Sequence, residues 1–141
     1  MEKNKKIVVV GLGYVGLPLA VALARVFSVV GFDIDVKRIE ELEIGLDRTR
    51  EVESECLAGS ALTYSYSIRD IKGADIFIIT VPTPVSKNNE PDLGSVLAAS
   101  KMVGKVIEKG AIVVYESTVY PGVTEDVCGP LLEQTSGLKC G

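Results

Sequence analysis

Lys6-Ile7-Val8-Val9-Val10-Gly11-Leu12-Gly13-Tyr14-Val15-Gly16-Leu17-Pro18-Leu19-Ala20 is the stretch whose reading decides the fold. After Lys6 come four consecutive β-branched apolar residues, Ile7 to Val10, the pattern of a parallel strand covered on both faces. Residues 14–27 then read as a helix, with Pro18 deep enough to remove one backbone hydrogen bond near the first turn. Between strand and helix stands a Gly-x-Gly-x-x-Gly turn. Gly11 permits the tight bend, Gly13 lets the backbone approach a pyrophosphate, and Gly16 lets the helix pack closely on the sheet. A pyrophosphate placed there meets unpaired N–H groups and the positive end of the helix dipole. The six residues Gly11, Leu12, Gly13, Tyr14, Val15 and Gly16 therefore form the expected dinucleotide loop. Such a motif is weak alone and strong in a strand-turn-helix context.

The same stretch has a competing reading. Lys3, Lys5 and Lys6 precede an uncharged run over residues 7–24, the layout of a signal peptide or a minimal membrane span. Three glycines and Pro18 inside that run suit a phosphate-binding turn and not a spanning helix, so no membrane insertion is expected.

Working outward, residues 28–32 form a second short strand that ends at Asp33, 17 residues beyond Gly16. That is near the spacing of the acid that accepts hydrogen bonds from the adenosine ribose. Its charge would repel a 2′-phosphate, which favours NAD over NADP. Asp35 is a good N-cap for a helix over residues 36–44, with Gly45 as its stop. Arg38, one turn into this helix, either lies over the adenine ribose or is a solvated helix residue.

The alternation continues. Residues 51–58 read as a short helix, 62–66 as a weak strand and 74–81 as a strong buried strand. Residues 82–91 read as a Pro- and Asn-rich loop. Asp92 caps a helix over 93–108 that stops at Gly110. Residues 111–115 are a further buried strand, 117–123 a loop, and Thr124 caps a last helix with Glu125 and Asp126 in its first turn. The expected fold is α/β: a Rossmann-type, doubly wound parallel sheet in three layers, αβα, over residues 1–141. The sequence stops just after a helix, where such a sheet continues into another strand, so the expectation is a domain truncated before its last strand, without a substrate domain.

In an open α/β sheet ligands lie at the carboxyl ends of the strands. Val81, Pro82 and Thr83 leave the fourth strand there, and Ser117 and Thr118 leave the fifth, so all five are candidate cofactor contacts, with the hydroxyls facing the nicotinamide end. Each segment also reads as an ordinary exit loop or capped turn.

Composition narrows the chemistry. The chain has no histidine, which removes His-based nucleophile pairs and His-containing zinc sites. Cys56, Cys128 and Cys140 show no C-x-x-C spacing and read as reduced, incidental thiols of a cytoplasmic protein, with no metal site. A formal charge of −4 argues against a nucleic-acid partner.

Four ordered segments carry a resemblance: Gly-Leu-Gly-Tyr-Val-Gly-Leu-Pro at Gly11 to Pro18, Val-Pro-Thr-Pro at Val81 to Pro84, Pro-Asp-Leu at Pro91 to Leu93, and Glu-Ser-Thr-Val-Tyr-Pro-Gly at Glu116 to Gly122. Together they resemble the UDP-glucose/GDP-mannose dehydrogenase family over essentially the whole chain, nearest its UDP-N-acetylhexosamine 6-dehydrogenase branch of capsule and O-antigen synthesis. The resemblance implies NAD contacts at Val15, Asp33, Arg38, Thr83 and Thr118, and a role for Thr118 in ordering a catalytic water. It implies oxidation of a sugar 6-hydroxyl to a carboxylate in two hydride transfers, through a cysteine-bound thiohemiacetal and thioester. It also implies that the catalytic cysteine, lysine and glutamate, the UDP-sugar-binding domain and most of a homodimer interface lie outside this sequence, leaving the chain alone inactive. Two other readings stay open: a hydroxyacid or 6-phosphogluconate-type dehydrogenase sharing the first βαβ unit, and a free-standing NAD-binding module without chemistry.

Overall fold

The computed structural model describes residues 5–82, 87, 93–116 and 127–139. Five strands, β1 (Lys6–Val10), β2 (Ser28–Phe32), β3 (Thr63–Ser65), β4 (Ile76–Ile79) and β5 (Ile112–Tyr115), form one sheet. Its order is β3-β2-β1-β4-β5, and every neighbouring pair is parallel. This is the order of the first five strands of a doubly wound Rossmann sheet.

Alternation along β1 explains the layering. Ile7 and Val9 pack with Leu17, Ala20, Ile39, Leu42 and Leu57, beneath α1 (Gly16–Leu23), α2 (Val36–Glu43) and α3 (Ser54–Ala58). Val8 and Val10 point the other way, to Phe77, Ile79, Ala99, Val103 and Leu132, beneath α4 (Gly94–Val106) and α5 (Gly129–Ser136). Side chains of successive strand residues face opposite sides, so an unbroken apolar strand needs helices on both.

The helices are shorter than the sequence reading. α1 begins at Gly16, with Val15 at its N-cap. Leu17 and Leu19 donate to the carbonyls of Gly13 (3.2 Å) and Val15 (3.3 Å); Pro18 between them has no N–H to give, which is the one lost bond expected. Asp35 caps α2 as expected, accepting from the Arg38 N–H at 3.3 Å. Gly45 turns the chain out of it with φ of +86°. A 3-10 turn at Ile68–Ile71, not anticipated, joins β3 to β4. α4 starts at Gly94, and the expected cap Asp92 lies outside the described residues, as do Thr124, Glu125 and Asp126.

Candidate dinucleotide site

Register builds the site. Val10 pairs with Phe32 on one side and with Ile79 on the other, so the carboxyl ends of β1, β2 and β4 finish level. Gly11, Asp33 and Thr80 are the next residues of the three strands.

The turn is held from beneath. Gly11 has φ of +97° and donates its N–H to the Phe32 carbonyl at 2.8 Å. Leu12 is fully buried. Its side chain lies over Gly31, where an added Cβ would stand 3.0 Å from Leu12 Cδ2. Gly16 presses α1 onto the turn: a Cβ there would run into the Gly11 carbonyl oxygen and Thr80 Oγ1. Thr80 Oγ1 bridges the ends of two strands, with the Val10 oxygen at 3.0 Å and the Gly11 oxygen at 2.6 Å.

The outer half of the turn faces solvent. A Cβ added at Gly13 would meet nothing within 4 Å. Tyr14 is 69 % and Val15 56 % exposed. Among the described residues the backbone N–H groups of Gly13, Tyr14 and Val15 have no acceptor, as at the start of any helix. These donors lie at the N-terminus of α1, where an anion is stabilised by hydrogen bonds and by the helix dipole. Gly13 is the cradle that a side chain would fill, and the donor set suits a pyrophosphate.

Asp33 stands at the rim, half-buried. One carboxylate oxygen accepts from the Leu12 N–H at 3.0 Å and the other from the Asp35 N–H at 3.0 Å. A carboxylate has about four acceptor positions, so capacity remains for a ribose diol.

Arg38 differs from one of its expected readings. It is 4 % exposed, not a solvated helix residue. Its Nε and Nη2 donate to the Leu12 carbonyl at 2.8 and 2.6 Å, and Nη1 donates to Asp47 Oδ1 at 2.9 Å. The helical position tilts this long side chain inward under the turn.

Sequence reading missed Asp47 and Thr80. The Asp47 carboxylate is buried in a cage of donors. Oδ1 accepts from Arg38, from the Thr49 N–H at 2.9 Å and from Thr49 Oγ1 at 2.6 Å; Oδ2 accepts from the N–H groups of Glu51 (2.9 Å) and Val52 (3.0 Å). Burial pushes its pKa up, but the hydrogen bonds from Thr49, Val52 and Arg38 prevail and hold it down at about 2. The available signal for Asp47 was Asp-x-Thr after the Gly45 stop, an Asx-type turn; for Thr80 it was a polar residue ending an apolar strand.

Val81 is half-buried and Pro82 exposed at the end of β4, on the same edge. Thr83, Ser117 and Thr118 lie outside the described residues. Cys56 is exposed and Cys128 buried, neither in a disulfide; Cys140 is outside the described residues. Among the described residues no group of three potential ligands stands together for a metal, and no helix is long and apolar enough to cross a membrane. A cleft of about 1070 Å³ lies along β5, between residues 107–113 with Tyr115 and α5, and no residue of the glycine turn lines it.

A parallel sheet of this order, a glycine turn with outward N–H groups and an acid ending β2 define a dinucleotide-binding Rossmann domain. The chain belongs to the UDP-glucose/GDP-mannose dehydrogenase family: the family's NAD binding domain matches residues 5–141. NAD is thus the cofactor of this domain, in keeping with the acid at Asp33. The chain is 54 % identical over 138 residues to protein CapL of Staphylococcus aureus, covering 98 % of this chain and 32 % of that one. It is 51 % identical over 138 residues to UDP-N-acetyl-D-glucosamine 6-dehydrogenase of Pseudomonas aeruginosa, covering 97 % and 33 %. The UDP-D-ManNAc dehydrogenase of Pyrococcus horikoshii superposes with a TM-score of 0.88 at 38 % identity, covering 96 % and 34 %. The chain therefore spans about a third of the length of the relatives it matches.

Proposed function

We propose that this chain presents NAD to a UDP-N-acetylhexosamine, whose 6-hydroxyl the whole protein oxidises to a carboxylate with two NAD, supplying a uronic acid sugar for capsule or O-antigen-type polysaccharide. The observation carrying the cofactor part is the row of N–H groups at Gly13, Tyr14 and Val15, unpaired among the described residues, in the turn whose Leu12 N–H the Asp33 carboxylate holds. The substrate part is supported by the 51 % identity to a UDP-N-acetyl-D-glucosamine 6-dehydrogenase. When bound, NAD accepts the hydride. The chain's own residues bind and orient: Gly11 to Gly16 take the pyrophosphate, Asp33 the ribose hydroxyls, and Val81, Pro82, Thr83, Ser117 and Thr118 flank the nicotinamide end. Thr118 orders the hydrolytic water. Arg38 supports the turn from beneath, through the Leu12 carbonyl. The sugar nucleotide is held by a further domain of a cytoplasmic homodimer, so the 141-residue chain alone forms no NADH from a UDP-hexose.

Calorimetric titration tests the cofactor assignment. NAD should bind more tightly than NADP, and Asp33→Ala should weaken NAD by roughly 1–3 kcal/mol, the scale of hydrogen bonds to a charged group. Equal or tighter NADP binding overturns the role of Asp33. In the full-length protein, UDP-N-acetylglucosamine or UDP-N-acetylgalactosamine should be preferred over UDP-glucose. Thr118→Ala should slow hydrolysis of the covalent adduct about 10²- to 10³-fold in single turnover; weaker NAD with unchanged hydrolysis reduces Thr118 to a cofactor contact.

A further inference from the structure

The Leu12–Gly13 peptide carries the carbonyl that Arg38 grips and the N–H that faces the open cradle. A trans peptide is planar, so its C=O and N–H point in opposite directions. Two guanidinium donors on the Leu12 oxygen, at 2.8 and 2.6 Å, therefore aim the Gly13 N–H outward. The preceding peptide is held as well, by Asp33 on the Leu12 N–H at 3.0 Å. With the peptide planes on both sides of Leu12 fixed, its two backbone dihedrals have no freedom left. Donation to the carbonyl also polarises the peptide and strengthens its N–H as a donor.

The guanidinium needs its own support, and that comes from outside the βαβ unit. Asp47, four residues after α2 ends at Glu43, takes Nη1 at 2.9 Å and is itself fixed by Thr49, Glu51 and Val52. Its side chain is 1 % exposed and that of Arg38 5 %. We propose that Asp47 is a positioning residue for cofactor binding: through Arg38 it sets the direction of the Gly13 N–H toward the pyrophosphate, without touching NAD. This rests on the pyrophosphate lying at the Gly11–Gly16 turn.

A double-mutant comparison on the full chain tests it, with NAD, ADP and adenosine as ligands. Asp47→Ala should weaken NAD and ADP about tenfold, the scale of one hydrogen bond to a charged group. Adenosine, which has no phosphate, should change less than about twofold on the same scale. Arg38→Met should match it, and Arg38→Met with Asp47→Ala should be no worse than Arg38→Met alone, because both act through one contact. Removing one partner of a buried ion pair strains folding, so Asp47→Asn and the double variant, which leaves no unpaired buried charge, provide folded comparisons verified by thermal melting. Equal weakening of adenosine and ADP, unchanged ADP affinity, or additive effects in the double variant overturn the proposal. Gly13→Val is the control for the site itself: if it leaves NAD binding intact, the turn is not the pyrophosphate site and the clamp has nothing to aim.

Discussion

The two halves of the glycine turn lie side by side and obey different constraints. Gly11 and Leu12 are tied on every side: one N–H to Phe32, the next to Asp33, a carbonyl to Thr80 and the following one to Arg38. Gly13, Tyr14 and Val15 carry N–H groups unpaired among the described residues, and Tyr14 and Val15 face solvent. Satisfying the first half rigidly is what lets the second half remain unsatisfied without collapsing onto itself. Pre-organised donors bind an anion better than flexible ones because little ordering remains to be done on binding. The same division separates the glycines. Gly16 is required by the protein's own packing, Gly13 by the ligand.

That contrast can be broken most forcefully at Gly16. Gly16→Ala drives a methyl into the Gly11 carbonyl and Thr80 Oγ1. Backbone cannot yield as a side-chain tip can, so destabilisation of at least about 3 kcal/mol is expected, read as a collapse of the thermal transition. A melting temperature near that of the parent protein would show that α1 can slide off the turn.

Gly13→Val should do the reverse. The site has room, so the thermal transition should hardly move. The side chain would occupy the pyrophosphate's place, and loss of two charge-assisted hydrogen bonds predicts NAD binding weakened on the order of 100-fold. Calorimetry and melting on one preparation give both numbers; unfolding of this variant would erase the distinction between the halves.

The brace beneath the turn has a pH signature. Asp47 titrates at about 2 in the folded chain, below its ordinary value of 3.8. A depressed carboxylate contributes stability that is present above the unfolded pKa and lost as pH falls through the folded one. The window is therefore pH 4 down to about 2, with roughly 2 kcal/mol at stake. Comparing the parent protein with Asp47→Asn by denaturant titration, the stability gap should narrow across that window. A gap constant with pH would mean the cage does not discriminate charge.

The smallest effect belongs to the rim. Arg48 is exposed and pairs with Glu41 at 2.9 Å and Asp35 at 3.6 Å. Solvent and salt screen such pairs, so Arg48→Ala should leave the melting temperature nearly unchanged. A large, salt-insensitive loss would extend the brace outward from Asp47.

The amino-acid sequence by itself determined the layer architecture, the parallel sheet, the place of the turn and the choice of NAD. These follow from local rules: β-branched runs covered on both faces, glycines where side chains cannot fit, and an acid at a set distance along the chain. Asp35 capping α2 and Gly45 ending it were legible for the same reason, since a cap acts within one helical turn. Tertiary structure alone decided what Arg38, Asp47 and Thr80 do. Arg38 grips a carbonyl 26 residues away, and Thr80 one 69 residues away. No periodicity records such pairings, because they exist only after β1, β2 and β4 have paired and brought their carboxyl ends level. The same long-range closure adds Thr80 Oγ1, from another strand, to the local Gly11 carbonyl that already leaves no room for a side chain at Gly16.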